Sequence, residues 1–86
     1  MGLEEAVNER VSFLKEQINP HNNPLVNATF QLQIEMLRNA DREQVANLIL
    51  ERKSQLDNSK SIRESERLFT ELEALEWLQR QVVRYI

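Results

Sequence analysis

The chain has 86 residues, a formal net charge of −3 at neutral pH and no cysteine; 41% of its residues are hydrophobic and 29% are charged. A chain this short forms at most one domain, residues 1–86, whose small core makes association with a second chain a common remedy. Without cysteine, disulfides, thiolate nucleophiles and zinc knuckles are excluded, and the lack of a basic block argues against nucleic acid as a partner.

The first eleven residues, MGLEEAVNERV, have neither the basic start nor the apolar stretch of a secretory signal. No apolar run approaches the roughly 20 residues that cross a bilayer. The sequence therefore predicts a cytoplasmic protein that does not enter a membrane.

The first predicted element is a helix over residues 3–18. Its apolar residues recur at helical spacing and form one narrow stripe: Leu3, Val7, Val11, Leu14 and Ile18. The helix is expected to end before Pro20, because the residue that precedes a proline is disfavoured in the helical region.

The segment 26–36 supports two interpretations. Apolar and polar residues alternate throughout it, which is typical of a strand. As a helix, the segment and its flanks carry two apolar stripes: Leu25, Ala28, Leu32 and Met36 in one, and Val26, Phe30, Ile34 and Leu37 in the other. Two stripes are typical of a central helix between two layers. We predict a helix over 24–38, capped by Asn23, because a strand would need a second copy of the chain as its neighbour.

The third predicted helix covers residues 42–57, where Asp41 and Gln44 have the spacing of a capping box. The stretch NADREQVANLIL, Asn39–Leu50, resembles the helix-turn-helix junction of the small phycobilisome-degradation proteins of photosynthetic microbes. That resemblance implies an adaptor whose helices pair into a four-helix bundle. The aromatic and methionine-rich continuation of those proteins is replaced here by residues 51–56.

The fourth predicted helix covers residues 61–85 and opens with a second capping box, Ser61 and Glu64. Its predicted core stripe is Leu68, Leu72, Leu75, Val82 and Ile86, with Phe69, Leu78 and Val83 at the margins. Helical spacing also predicts two ion pairs on its surface: Arg67 with Glu71, and Glu76 with Arg80.

Trp77 lies about 180° from Leu68 at 100° per residue, on the polar side of the fourth helix. Its neighbours there include Glu73, Arg80 and Arg84. Tryptophan and arginine are enriched among interface anchors, so these four residues are the predicted partner-binding site. The alternative is that a neighbouring helix, or the loop Asn19–Pro24, covers Trp77 within the same chain.

The sequence contains no recognisable catalytic constellation. His21 has no cysteine or carboxylate close to it in sequence, which predicts a solvated loop residue. The serines lack a nucleophile elbow, and one glycine cannot build a phosphate-binding loop. We therefore predict a protein that is not an enzyme and has no metal or other cofactor.

Two functional classes follow from these patterns. The favoured one is an all-α, four-helix bundle-like domain, homodimeric, that acts as a protein–protein interaction module: a small adaptor, regulator or assembly factor. The alternative is a ribbon–helix–helix-like DNA-binding regulator, in which residues 26–36 form the paired strand and its polar side chains face the major groove. The basic character and the glycine-containing turn expected of that family are missing here.

Overall fold

A computed structural model describes residues 2–85 of the chain. It contains α1 (Leu3–Gln17), α2 (Pro24–Asn39), one 3-10 turn (Arg42–Gln44), α3 (Val45–Asp57) and α4 (Ile62–Tyr85). The described residues include no strand, so the all-helical prediction is confirmed and the strand interpretation of residues 26–36 is wrong. Among residues 2–85, no helix has both the length and the apolar character of a membrane crossing.

Asparagine side chains close the turn between α1 and α2. The Asn23 Oδ1 atom accepts a hydrogen bond from the Leu25 N–H at 2.9 Å, which confirms the predicted cap. Asn27 reaches back from α2: its Nδ2 donates to the Asn19 carbonyl at 2.8 Å, and its Oδ1 accepts from Asn22 Nδ2 at 3.0 Å. The turn is therefore a hydrogen-bonded unit that joins α1 and α2 as an antiparallel hairpin.

The two predicted capping boxes form only in part. The Asp41 carboxylate accepts from the Glu43 N–H at 2.9 Å rather than from Gln44, and the chain makes a 3-10 turn before α3 begins at Val45. At the start of α4, the Glu64 N–H donates to Ser61 Oγ at 3.4 Å. The predicted boundary at residue 42 is thus three residues early for the α-helix.

Arg42 holds the junction between α2 and α3 in place. Its Nη1 donates to the carbonyl oxygens of Leu37, at 2.6 Å, and Ala40, at 2.9 Å. Its Nε and Nη2 donate to the Glu4 carboxylate, each at 3.1 Å. One guanidinium group therefore satisfies carbonyl groups at the end of α2 and attaches them to the first turn of α1.

The central helix is α4, which packs against α1, α2 and α3. No Cα atom of α3 in the described chain lies within 8 Å of α1 or α2. The hairpin of α1 and α2 lies on one side of α4, and α3 lies on the other, antiparallel to α4.

The buried core follows this arrangement. The predicted stripe of α1 is buried at Val7, Val11 and Leu14. The core cluster consists of Val7, Val11, Leu14, Ile34, Leu37, Val45, Ile49, Leu72, Ala74, Leu75 and Leu78. On α4 the buried arc is wider than predicted, because helices cover it from two sides: Leu78, predicted at the margin, is fully buried, whereas Phe69 and Val83 are exposed. Ile86 lies outside the described residues.

α2 packs against both α1 and α4, but only its second half is enclosed. Ile34 and Leu37 in that half are buried, but Leu25 is 75% exposed and Val26 is 44% exposed. α3 does not cover the start of α2, because it packs on the far side of α4. The first half of α2 is therefore left with apolar side chains in solvent.

The fold is flat. Its Cα atoms extend over 38 × 34 × 15 Å, and the radius of gyration is 13.5 Å. A compact domain of this length has a radius of gyration of about 12 Å. The flat shape gives the molecule broad faces that are large for its size.

Candidate functional site

One face of α4 is exposed along its whole length because α1, α2 and α3 cover only the rest of the helix. We call it the outer face of α4; its residues lie within about 60° of one another on a helical projection and are all exposed: Ile62, Glu66, Phe69, Glu73, Arg80 and Arg84. Two of them are large and apolar, since Ile62 is 81% and Phe69 is 60% exposed. The face contains three of the four predicted partner-binding residues.

Trp77 borders this outer face and is half-buried. The Arg10 guanidinium carbon lies 5.6 Å from the centroid of the Trp77 ring and 5.3 Å from the centroid of the Phe13 ring. Both distances are within the range of a cation–π interaction. The alternative prediction, that a neighbouring helix of the same chain covers Trp77, is therefore correct for one side of the indole, and that helix is α1.

Trp77 belongs to two neighbouring depressions. A shallow groove of about 380 Å³ between α1 and α4 is lined by Trp77 together with Arg10, Gln81 and Arg84; we call it the Trp77 groove. A smaller crevice of about 60 Å³ contains Trp77 with Glu73 and Arg80. The structure thus brings Trp77, Arg80, Arg84 and Glu73 together at one surface. Their role as partner contacts stays a prediction.

The electrostatics of this surface differ from those of the whole chain. The depressions around Trp77 are lined by three arginines and two glutamates: Arg10, Arg80, Arg84, Glu9 and Glu73. Their charges sum to +1, whereas the net charge of the chain is −3. The Arg84 guanidinium carbon also lies 5.6 Å from the Tyr85 ring centroid. Planar cations beside aromatic rings are suited to binding carboxylates and apolar groups together.

A cleft between α3 and α4 was not predicted from the sequence. It has a volume of about 480 Å³ and is lined by Ile49, Lys53, Glu76, Gln79, Arg80 and Val83; we call it the α3–α4 cleft. Lys53 Nζ lies 3.7 Å from Glu76 Oε1 in this cleft, so Glu76 faces α3 rather than the predicted Arg80. The exposed Val83, which is off the core stripe, was the available sequence signal.

The α3–α4 contact also includes a buried carboxylate, Glu71, whose side chain is only 7% exposed. Arg67 Nη1 donates to Glu71 at 3.1 Å, which confirms the predicted pair, and Arg52 Nε lies 3.7 Å from the same carboxylate. Because Glu71 is enclosed by these two arginines, its role is to join the helices.

Groups with catalytic or metal-binding chemistry are dispersed. His21 is exposed in the α1–α2 turn, where its backbone N–H donates to Asn19 Oδ1. Among residues 2–85, no three His, Cys, Asp or Glu side chains form a group that could hold a metal ion. What the surface around Trp77 offers chemically is recognition by aromatic, cationic and apolar contacts.

Comparison of the chain with known protein families, with curated proteins and with solved structures finds no match.

Proposed function

We propose that this chain is a non-enzymatic protein–protein interaction module, an adaptor, regulator or assembly factor of the cytoplasm, that binds through the surface around Trp77. The proposal is supported chiefly by one observation: a half-buried tryptophan lies between two depressions and is surrounded by Arg10, Arg80 and Arg84. Tryptophan and arginine are the residues that most often dominate binding energy at protein interfaces.

The charges around Trp77 indicate the chemistry of the partner. A segment that carries carboxylates and one large apolar side chain complements three arginines and a partly exposed indole. An amphipathic helix with acidic residues is such a segment, since it presents both kinds of side chain on one face. Binding of this kind is expected to weaken as salt concentration rises.

The test is site-specific photo-crosslinking in living cells. A photoreactive residue at Gln81 lies in the Trp77 groove, and the matched control at Ser54 lies on an exposed part of α3. We expect an adduct with one acidic partner from Gln81 but not from Ser54, and its loss in Arg84→Glu. Arg84 is exposed, so this variant should stay folded, with a loss of about 1 kcal/mol from an acidic residue in the last turn of α4.

Adducts of equal intensity from Gln81 and Ser54, or an adduct from Gln81 that Arg84→Glu leaves unchanged, would overturn the proposal. Trp77→Ala serves as a second variant, checked first for a native circular dichroism spectrum, because the half-buried indole also contacts the core cluster. The DNA-binding alternative required residues 26–36 to be a strand, whereas they lie in α2.

A further inference from the structure

The outer face of α4 is divided along its length by charge. Its first half contains Glu66 and Glu73 with the exposed Phe69, whereas its second half contains Arg80 and Arg84. The first half is thus an acidic amphipathic helix segment of the kind that the arginines around Trp77 would bind. One face of one helix contains both members of a complementary pair.

We propose that the occupant of this face is a second copy of the chain, with the two α4 helices antiparallel around a two-fold axis. The inference rests on the proposed function, because it names the partner of the same surface. Antiparallel pairing places the acidic half of each helix against the basic half of the other, whereas parallel pairing places like charges together. A two-fold arrangement forms every contact twice and closes the assembly.

One alignment of the two antiparallel helices, or register, forms the ion pairs and also places Phe69 against an apolar surface. If Glu66 lies opposite Arg84 of the second copy, Glu73 comes within one turn of that copy's Arg80. The same register places Phe69 opposite residues 80–83, where the α3–α4 cleft opens. Two ion pairs and one aromatic anchor from each copy are thus made simultaneously.

The positions of Phe69 and of the α3–α4 cleft across the width of the molecule also agree with this register. A two-fold axis perpendicular to α4 and parallel to the broad face of the molecule brings the α3 edge of one copy against the α3 edge of the other. On a helical projection, Phe69 lies only about 20–40° from Glu76 and Val83, which line the cleft on the α3 side. Phe69 can therefore enter a cleft of about 480 Å³ with Val83 as its wall and buried Ile49 as its floor.

The available area is sufficient for a stable dimer. A rectangle with the two long dimensions of the molecule, 38 and 34 Å, covers about 1,300 Å². A specific interface buries about 800 Å² on each partner. The flat shape therefore supplies the required surface from one broad face, without any rearrangement of the helices.

The first experiment uses sedimentation equilibrium to measure the dimer Kd of variants in which charged residues of the interface are reversed. Arg84→Glu and Glu66→Arg should each raise the dimer Kd at least about tenfold, and the double variant should return it to within about threefold of wild type. Phe69→Ser should weaken the dimer similarly, whereas the control Val26→Ser, on an exposed apolar residue of α2 away from α3 and the cleft, should not. A wild-type chain that stays monomeric up to about 1 mM, or a double variant without recovery, overturns the self-pairing.

The second experiment tests the direction of the helices and uses the natural absence of cysteine. A mixture of Glu66→Cys and Arg84→Cys chains should form mixed disulfide dimers under mild oxidation. Glu66→Cys alone should not, because its two thiols would be separated by about 18 residues, or about 27 Å along the helices. Efficient dimers of Glu66→Cys alone would indicate parallel pairing and overturn the proposal.

The two proposals fail in different ways. A monomeric chain that still forms an Arg84-dependent adduct with a different protein at Gln81 overturns the self-pairing and leaves the interaction module standing. A dimer that withstands all of these charge and Phe69 substitutions shows that copies pair elsewhere and also overturns it.

Discussion

The two sides of α4 contact the rest of the molecule through different kinds of interaction. On the side of α1 and α2 the contact is apolar, with Val11, Leu14, Ile34 and Leu37 all buried. On the side of α3 only Val45 and Ile49 are buried, both near the start of that helix. The rest of the α3 contact consists of two partly buried leucines, Leu48 and Leu56. It also includes ion pairs from Arg52 and Lys53 to Glu71 and Glu76.

The two kinds of contact differ in how strongly their free energy depends on the exact positions of the groups and on exposure to solvent. Apolar burial is non-directional and scales with area, so the α1–α2 side should be the more stable part. Exposed ion pairs contribute little, and a buried carboxylate stabilises only while its partners stay in place. We therefore expect the second half of α3 to open locally before the hairpin of α1 and α2 separates from α4.

The largest expected effect compares a leucine from each side. Leu37→Ala, in α2, removes a side chain that is 2% exposed and should lower the free energy of unfolding by about 2–5 kcal/mol. Leu56→Ala, in the second half of α3, removes a half-buried side chain and should cost about 1 kcal/mol. Urea unfolding followed by circular dichroism measures both, and equal losses would remove the distinction between the two sides.

The next effect concerns the buried carboxylate of the α3 side. Glu71→Ala leaves Arg52 and Arg67 without their shared acceptor and should destabilise the fold by about 1–3 kcal/mol. Amide exchange should rise mainly in α3. The control is Arg63→Ala, at an exposed position of the same helix outside the outer face of α4, expected within about 0.5 kcal/mol of wild type. Unchanged exchange in α3 would show that the ion pairs do not hold it.

The sequence predicts the helices well because periodicity and capping are local properties. The stripe of Val7, Val11 and Leu14 specifies both the existence of α1 and its buried face. The cap at Asn23 likewise specifies the start of α2. These features depend on residues within one or two turns of one another, so a single sequence contains the whole signal.

Local sequence signals do not show which helix is central. Two apolar stripes on α2 report how much apolar surface the helix has, but not which neighbour covers it. That outcome depends on α3 packing on the far side of α4, a contact between segments that share no local pattern. For the same reason the sequence located Trp77, Arg80, Arg84 and Glu73 together but did not reveal Arg10, which stacks on Trp77 from α1.

A smaller effect tests whether the apolar side also depends on polar contacts. Asn27→Ala removes the hydrogen bonds that Asn27 makes with Asn19 and Asn22 in the α1–α2 turn, and should cost about 1 kcal/mol. Asn8→Ala, at an exposed position of α1, is the matched control. Thermal unfolding of both variants makes the comparison; a neutral Asn27→Ala would leave apolar burial as the main support of the hairpin.

The smallest effect is a pH dependence at the Glu4–Arg42 pair. The hydrogen bond from Arg42 lowers the pKa of Glu4 below its ordinary value of 4.5; slight burial opposes this, and the charge of Arg42 adds to it. A lowered pKa in the folded state means that the stabilisation is present above pH 4.5 and is lost as the pH falls through the folded value. The Glu4 side chain is 65% exposed, so the contribution should be under about 1 kcal/mol.

Thermal unfolding of wild type and Glu4→Gln measures the contribution of Glu4, since all other carboxylates are the same in both proteins. The difference in Tm between the two should be largest near neutral pH and should shrink below pH 4.5. A Tm difference that stays constant down to strongly acidic pH would show that Glu4 acts through packing rather than charge.

The separation of α3 from α1 and α2 has a consequence for communication across the molecule. α3 is connected to Arg10, the residue that stacks on Trp77, by two routes: through α4, and through the 3-10 turn, whose Arg42 is bonded to Glu4 of α1. Substitutions in α1 and α3 should therefore have additive effects on unfolding as long as α4 and the Arg42–Glu4 contact stay fixed. Coupling between those two edges that persists in Arg42→Ala would report a displacement of α4 itself, so this variant separates the long helix from the turn as the carrier of an event at one edge to the other.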